Sequence, residues 1–268
     1  MLSNNLAIKL ILTPLIIAAA TLVSRRWGEK IGGLMIGLPL TSGPVSVFFA
    51  MEQGKHFAEN AAKGSILGLI PVAFFCIGYI RGSRRMPWYL ASAIGISLYF
   101  ITVIAISNYS PELGLELVLV PSVLALALMT LGDAPAFVSR ISPPWWDLTL
   151  RMLFATTLLV VITGSASSLG PEWGGLLSPF PVFTFVMAAF SHKQGGPGVA
   201  WRLIRGVLIG LFAYTAFFIA VAMLVERVDL LVVYFVASCA ALAVEGVSLA
   251  VLIWKERASQ PDQAVVRS

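Results

Sequence analysis

Gly32-Gly33-Leu34-Met35-Ile36-Gly37-Leu38-Pro39 returns 142 residues later as Gly174-Gly175-Leu176-Leu177-Ser178-Pro179-Phe180-Pro181. Held without gaps, the same offset pairs Leu6 with Leu148, Lys9 with Arg151, Gly28 with Gly170 and Phe48 with Phe190. It also pairs Gly54 with Gly196, Ala58 with Ala200, Lys63 with Arg205, Gly64 with Gly206 and Gly68 with Gly210. Glycines, prolines and basic residues matched at one offset indicate an internal duplication, and its two copies organise the reading of the chain.

The surrounding composition gives the class. Of 268 residues, 58% are hydrophobic and 12% charged, and the mean hydropathy is +0.90. A soluble domain is roughly 45–50% apolar and about 25% charged. Water-soluble and disordered chains are both excluded, and no polar stretch is long enough to form a soluble domain. Apolar runs of transmembrane length recur throughout. Nine spans are expected, at about 5–24, 31–51, 57–80, 87–107, 113–132, 148–168, 173–190, 199–224 and 229–254. The first is not read as a signal peptide, because Arg25 and Arg26 follow its apolar run instead of preceding it.

Charge then sets the orientation. With nine spans, four of the 18 Lys and Arg residues (Lys9, Lys55, Lys63 and Arg227) fall on the amino-terminal side, and 14 on the other. Cytoplasmic loops carry the basic excess, so the N-terminus is expected outside and the C-terminus in the cytoplasm. The net charge of +5 is explained by this membrane asymmetry and gives no reason to expect a nucleic-acid partner. Trp88 and Trp145-Trp146 fall where interfacial aromatic anchors belong.

Counting spans fixes the relation between the copies. Residues 1–110 form a four-span unit, 111–147 a connecting span and loop, 148–254 a second four-span unit, and 255–268 a tail. Matched spans lie five crossings apart, an odd number, so the units are expected to be inverted. The fold expected is all-α, a 4+1+4 inverted repeat with spans 2 and 7 broken. Inverted repeats are a common plan of secondary transporters, with the site at interrupted helices in matching positions. A stable pseudo-symmetric bundle without transport is the plain alternative.

Span 2 holds Pro39 and Pro44 among four glycines, and span 7 holds Pro179 and Pro181. Each internal proline removes a backbone donor and costs about 3 kcal/mol in an ordinary helix. Unwound backbone at membrane depth survives where protein or a wet cavity shelters it. Thr41, Ser42, Ser178 and Thr184 are the nearest polar side chains, so they and the prolines are the candidate solute site; kinks used only for packing are the alternative. The paired cations Lys9, Arg151, Lys63 and Arg205 are read either as snorkelling ends or as contacts for an anionic solute or a broken-helix carbonyl. Gly64-xxx-Gly68 and Gly206-xxx-Gly210 read as close helix packing. Glu245, inside span 9, is either held in an ion pair or hydrogen bond, or serves as an ion-coupling group.

The chemistry-bearing motifs of enzymes are missing: there is no H-E-x-x-H, G-x-S-x-G or P-loop. His56 and His192 are expected in loops on opposite faces, and Cys76 and Cys239 as buried small hydrophobes. Neither cofactor nor metal is expected.

The Gly-Gly-Leu segment followed by Phe180-Pro181-Val182-Phe183 resembles the GlpM-type family of small bacterial inner-membrane proteins. The positions carrying it are Arg151, Gly175, Leu176, Pro179, Pro181, Gly196 and Arg205, with Lys9, Gly33, Pro39, Gly54 and Lys63 in the first half. It covers roughly 148–220 and, more weakly, 6–80, and this chain differs as a fused double-length form. The resemblance implies the architecture and a bacterial inner-membrane location. The expectation is a secondary transporter, in one form an exporter, of a small solute, with the anionic class a candidate; the partners expected are the lipid bilayer and that solute, and a homodimer fits the same reading. The alternative is a non-transporting membrane subunit that assists a biosynthetic or envelope complex.

Overall fold

The computed structural model describes the backbone of residues 2–107, 113–132, 144–169 and 180–258, and the side chains of 11–107, 113–132, 144–162 and 180–254. The described residues are helical apart from short connections. The helices are α1 (Leu2–Trp27), α2 (Glu29–Gly37), α3 (Ser42–Glu52), α4 (Lys55–Leu67), α5 (Leu69–Ser83), α6 (Trp88–Ile106), α7 (Leu113–Thr130), α8 (Asp147–Leu169), α9 (Val182–Gly195), α10 (Pro197–Leu224) and α11 (Leu230–Ala258). Six helical stretches among the described residues are long and apolar enough to cross a membrane: 29–52, 55–83, 88–106, 113–130, 197–224 and 230–254. The protein is therefore a multi-pass all-α membrane protein. The other three expected spans each include residues whose side chains lie outside those described.

The second span is interrupted where its prolines fall. Helix α2 stops at Gly37, Leu38 turns extended (φ −71°, ψ 152°), and α3 begins at Ser42. Leu40 donates its amide to the Leu38 carbonyl at 2.8 Å across Pro39, and Gly43 donates to the Pro39 carbonyl at 2.8 Å. The same pattern stands 142 residues on: Val182 donates to Phe180 at 2.8 Å across Pro181, and Phe185 to Pro181 at 2.9 Å. A bond from residue i+2 to i around a central residue at φ −79°, ψ 64°, the values at Pro181, is an inverse γ-turn. Pro39 and Pro181 therefore each sit in a three-residue turn closed by the same bond. Pro44 sits in the first turn of α3, where its missing amide hydrogen costs no helical bond. Of the span 7 elements, Gly174, Gly175, Ser178 and Pro179 lie outside the described residues.

The repeat is matched at a second place. Gly54 (φ 90°, ψ 166°) precedes α4 and Gly196 (φ 82°, ψ 179°) precedes α10. This is backbone that only glycine adopts easily. Helix α10 is continuous from Pro197 to Leu224, whereas its counterpart is divided at Gly68 into α4 and α5. The sequence reading of span 3 did not anticipate that division. Pro71 supplies the reason: it has no amide hydrogen to bond the Leu67 carbonyl, and its equivalent in α10 is Ala213.

Helices α2 and α10 meet backbone to backbone. A Cβ at Gly33 would lie 2.0 Å from the Leu203 carbonyl oxygen, one at Gly206 2.0 Å from the Lys30 carbonyl oxygen, and one at Gly37 2.6 Å from Cα of Gly210. Four glycines at i, i+4 spacing on two helices thus bring α2 directly against α10. This is the packing expected of Gly206 and Gly210.

Contacts between helix ends sort the bundle into two poles. At one, Arg25 Nη2 lies 2.8 Å from Asp147 Oδ2, and Leu131 accepts from Arg84 Nη2 (2.7 Å) and Trp201 Nε1 (3.3 Å). At the other, Lys55 Nζ donates to the Val228 carbonyl at 2.8 Å, and His56 Nδ1 lies 2.9 Å from Glu226 Oε1. Trp201 lies near the start of the 28-residue α10 and Glu226 just past its end, and that helix is roughly 42 Å long at 1.5 Å per residue.

Three expectations need correction. His192 is not in a loop: it is buried in the last turn of α9, with Nδ1 3.2 Å from the Tyr79 hydroxyl. His56 belongs to the first turn of α4. Cys239 is exposed on α11, which turns an apolar face outward, while Cys76 is buried.

Candidate functional site

The two proline turns face a common cavity of about 460 Å³. Leu38, Leu40, Thr41 and Ser42 form one side, and Phe180, Pro181, Val182 and Thr184 the other. Helix α1 contributes Thr13, α4 contributes Gly64 and Ser65, and α10 contributes Tyr214 and Phe218. The volume falls within the usual small-ligand range of about 300–1,000 Å³.

The wall is mostly aliphatic and aromatic, with hydroxyl groups set into it. Ser46 and Tyr234 share a hydrogen bond of 2.9 Å, and Tyr214, Ser42 and Ser65 lie together in the wall. Thr13 is fully buried and its Oγ1 has no hydrogen-bond partner among the described residues. A buried hydroxyl left unmatched costs about 1–3 kcal/mol. Pro14, one residue on, also leaves the Leu10 carbonyl without its usual helical donor. This side of the cavity therefore offers the unmatched Thr13 hydroxyl to whatever fills it. No charged residue is among the described residues that line it.

The predicted site residues thus divide. Thr41, Ser42, Pro181 and Thr184 line the cavity, and Pro39 sits buried at the centre of the first turn. Ser178 and Pro179 lie outside the described residues, as does the side chain of Lys9, whose backbone stands one turn before Thr13 in α1. The other cations are engaged elsewhere. Lys63 Nζ lies 2.5 Å from Glu59, and Arg205 stacks 5.1 Å from the centre of the Trp201 ring. Glu59 and Trp201 are themselves repeat equivalents, so each cation reaches back one turn to its own partner. Glu245 stands on α11 with Oε2 buried and no hydrogen-bond partner among the described residues, and it is not in the cavity wall.

Arg151 belongs to a buried polar knot at the arginine-rich pole. Its Nε lies 3.0 Å from both Asp147 carboxylate oxygens, and Nη2 donates to Gln194 Oε1 at 3.0 Å. Gln194 donates to Asp147, and Arg25 Nη2 completes the set. The knot ties α1, α8 and α9 together. Burial opposes ionisation of Asp147, but Arg151, Gln194 and Arg25 outweigh it and hold the carboxyl below its ordinary range. Burial alone pushes His192 below its ordinary value, so its ring is neutral at pH 7.

Sequence reasoning missed the buried Glu116 and the buried cluster that Asp147 and Gln194 form with Arg151. Asp147 stands four residues before Arg151, the spacing of a helical ion pair, and that signal was present. His56, Glu59 and Glu226 bring ligand atoms within 4.8 Å of one another at the opposite pole. The three are already held by His56–Glu226 and Lys63–Glu59 contacts.

Comparison with family models, with curated proteins and with solved structures finds no match to this chain.

Proposed function

We propose that the protein is a secondary transporter of a small solute, and that the solute occupies the cavity between the Pro39 and Pro181 turns. The observation that carries this reading is the convergence on one cavity of transportable size of two matching proline turns, one between α2 and α3 and one directly before α9. Discontinuous helices at matching positions of two repeats are the arrangement transporters use to hold a substrate.

The matching turns at Pro39 and Pro181 and the matching glycines Gly54 and Gly196 support a duplicated chain. The alternation of helix ends between two poles supports nine crossings and an inverted second half. The arginine-rich pole is then cytoplasmic by the positive-inside rule. The resemblance to the GlpM-type family agrees with this architecture and with a bacterial inner membrane. In this account the Arg25–Asp147–Arg151–Gln194 knot closes the cavity toward the cytoplasm.

The cavity also narrows the solute class. Hydroxyls are set among aliphatic and aromatic side chains in it, and Lys63, Arg151 and Arg205, three of the four cations that suggest an anion, are engaged elsewhere, so a neutral solute with both hydroxyl and apolar surface fits it better. The test is flux in proteoliposomes with radiolabelled solutes of two classes, small polyols and small carboxylates. The proposal requires saturable flux of a polyol that is lost in Thr41→Val with Thr184→Val. Impermeability to both classes, with a partner protein co-purifying, would favour the role of a non-transporting subunit.

A further inference from the structure

Thr13 is fully buried in the cavity wall, and its Oγ1 has no hydrogen-bond partner among the described residues. Other hydroxyls on these helices are satisfied by their own helix. Ser65, Thr102, Thr156 and Thr215 each donate to the carbonyl four residues back, at 2.7–2.8 Å. That bond is the usual resort of a Ser or Thr side chain inside a helix. Thr13 stands inside α1 and does not make it.

Backbone supplies the facing groups. Helix α9, 14 residues long, begins at Val182 without a side-chain cap. The amides of a first turn have no acceptor within their own helix. Val182 turns back to the Phe180 carbonyl, whereas the Phe183 and Thr184 amides find no acceptor among the described residues. Both residues line the cavity. The helix dipole adds partial positive charge at this end.

Contacts along α1 and α9 place Thr13 opposite that turn. Both helices run toward the arginine-rich pole, where Arg25 and Gln194 meet Asp147. Further from that pole, Thr21 Oγ1 lies 3.4 Å from Met187 Sδ. Counting back from this contact, Thr13 is eight residues away on α1 and Pro181 six residues away on α9, which is roughly 12 Å and roughly 9 Å at 1.5 Å per residue. Thr13 therefore stands just ahead of the first turn of α9, on the side toward which that turn directs its amides. The repeat equivalent of Thr13 is Ala155, which has no hydroxyl, so the arrangement belongs to one side of the cavity.

We propose that the Thr13 hydroxyl and the Phe183 and Thr184 amides form a subsite for one hydroxyl group of the solute. A hydroxyl is both acceptor and donor. Its oxygen accepts from the amides, and its hydrogen is donated to Thr13 Oγ1, so a single group satisfies both sides of the subsite. This assignment rests on the cavity being the solute site and on the solute being neutral.

Binding is read by saturation-transfer NMR on the full chain in lipid nanodiscs, with protein-free nanodiscs subtracted. The probe is a hexanediol with adjacent hydroxyls at one end, which joins hydroxyl to apolar surface. The wild type should bind it saturably. Thr13→Val, which keeps the shape and removes the hydroxyl, should weaken binding about tenfold, the loss of one buried hydrogen bond. Thr13→Ser should keep the wild-type affinity. Thr215→Val should keep it too, because that hydroxyl is already engaged by the Leu211 carbonyl. The empty protein gives a second readout: removing a buried hydroxyl that lacks a partner should leave the melting temperature of Thr13→Val unchanged or raised. No saturable binding, binding indifferent to Thr13→Val, or a lowered melting temperature in that variant would overturn the subsite. Hexanoate bound more tightly than the diol, with the same dependence on Thr13, would overturn the assignment to a hydroxyl. Binding that depends on Thr13 without flux of any polyol would count against transport and leave the subsite standing. Polyol flux that Thr13→Val does not alter would overturn the subsite and leave transport standing.

Discussion

Pro39 and Pro181, 142 residues apart in sequence, each sit at the centre of a three-residue turn closed by a 2.8 Å backbone bond, and both turns border one cavity. Neither proline can be matched by an ordinary residue without restoring an amide donor and the option of continuous helix. Pro39→Ala and Pro181→Ala should each abolish solute flux in proteoliposomes while the variants keep wild-type helicity and elution position. Flux at the wild-type rate in both would reduce the turns to packing kinks.

The crossing of α2 and α10 depends on glycine. A methyl group at Gly33 or Gly206 would overlap a backbone oxygen 2.0 Å away, and backbone cannot swing aside as a side chain can. Gly33→Ala and Gly206→Ala should each destabilise the protein in detergent by about 1–3 kcal/mol or more, the cost of overpacking. Gly64 is the control, because its added Cβ meets nothing within 4 Å, so Gly64→Ala should leave thermal stability unchanged or slightly raised. Equal melting temperatures for all three variants would contradict the close crossing.

The buried knot should be costly to break from one side. Arg151→Leu leaves Asp147 buried with less compensation, and removing one partner of such a pair costs about 3–5 kcal/mol. Gln194→Leu should cost less, since it removes a hydrogen bond and no charge. Chemical denaturation in mixed micelles measures both. Destabilisation by Gln194→Leu equal to that by Arg151→Leu would mean that the ion pair contributes nothing special.

Acid should loosen the same knot. The Asp147 carboxyl is held below its ordinary value in the folded protein, so its stabilising contribution is complete above the unfolded value near about 3.9. That contribution declines as pH falls from there through the lower folded value. Wild-type melting temperature should therefore drop below about pH 4 more steeply than that of Asp147→Asn. Parallel profiles would show that Asp147 is not the group responsible.

Much of this was legible in the residues. The run Gly37-Leu38-Pro39 specifies an end to α2 because proline and glycine act on the backbone itself, whatever surrounds them. The pairing of Gly54 with Gly196 is legible for the same reason, since both hold a backbone conformation that other residues resist. The ionic partners were harder to read. Lys63 was a candidate for the solute site, yet Glu59, one turn earlier on the same helix, satisfies it. Arg151 faces Gln194 and Arg25 from other helices, and such meetings depend on helix rotation, which apolar spans with little amphipathic character do not encode. Glu116 stands near the start of a span, where residue type alone does not separate a solvated end from a buried position, and the fold buries it.

The account depends on the two halves lying head to tail across the bilayer. Gln53 and Lys193 are exposed repeat-adjacent positions, one at the end of α3 and one in the last turn of α9. In a background lacking Cys76 and Cys239, single cysteines at these two sites should react with a membrane-impermeant maleimide from opposite faces of sealed vesicles, Gln53→Cys from the periplasmic face and Lys193→Cys from the cytoplasmic face. Labelling of both from the same face would contradict the inverted arrangement and, with it, the alternating-access proposal.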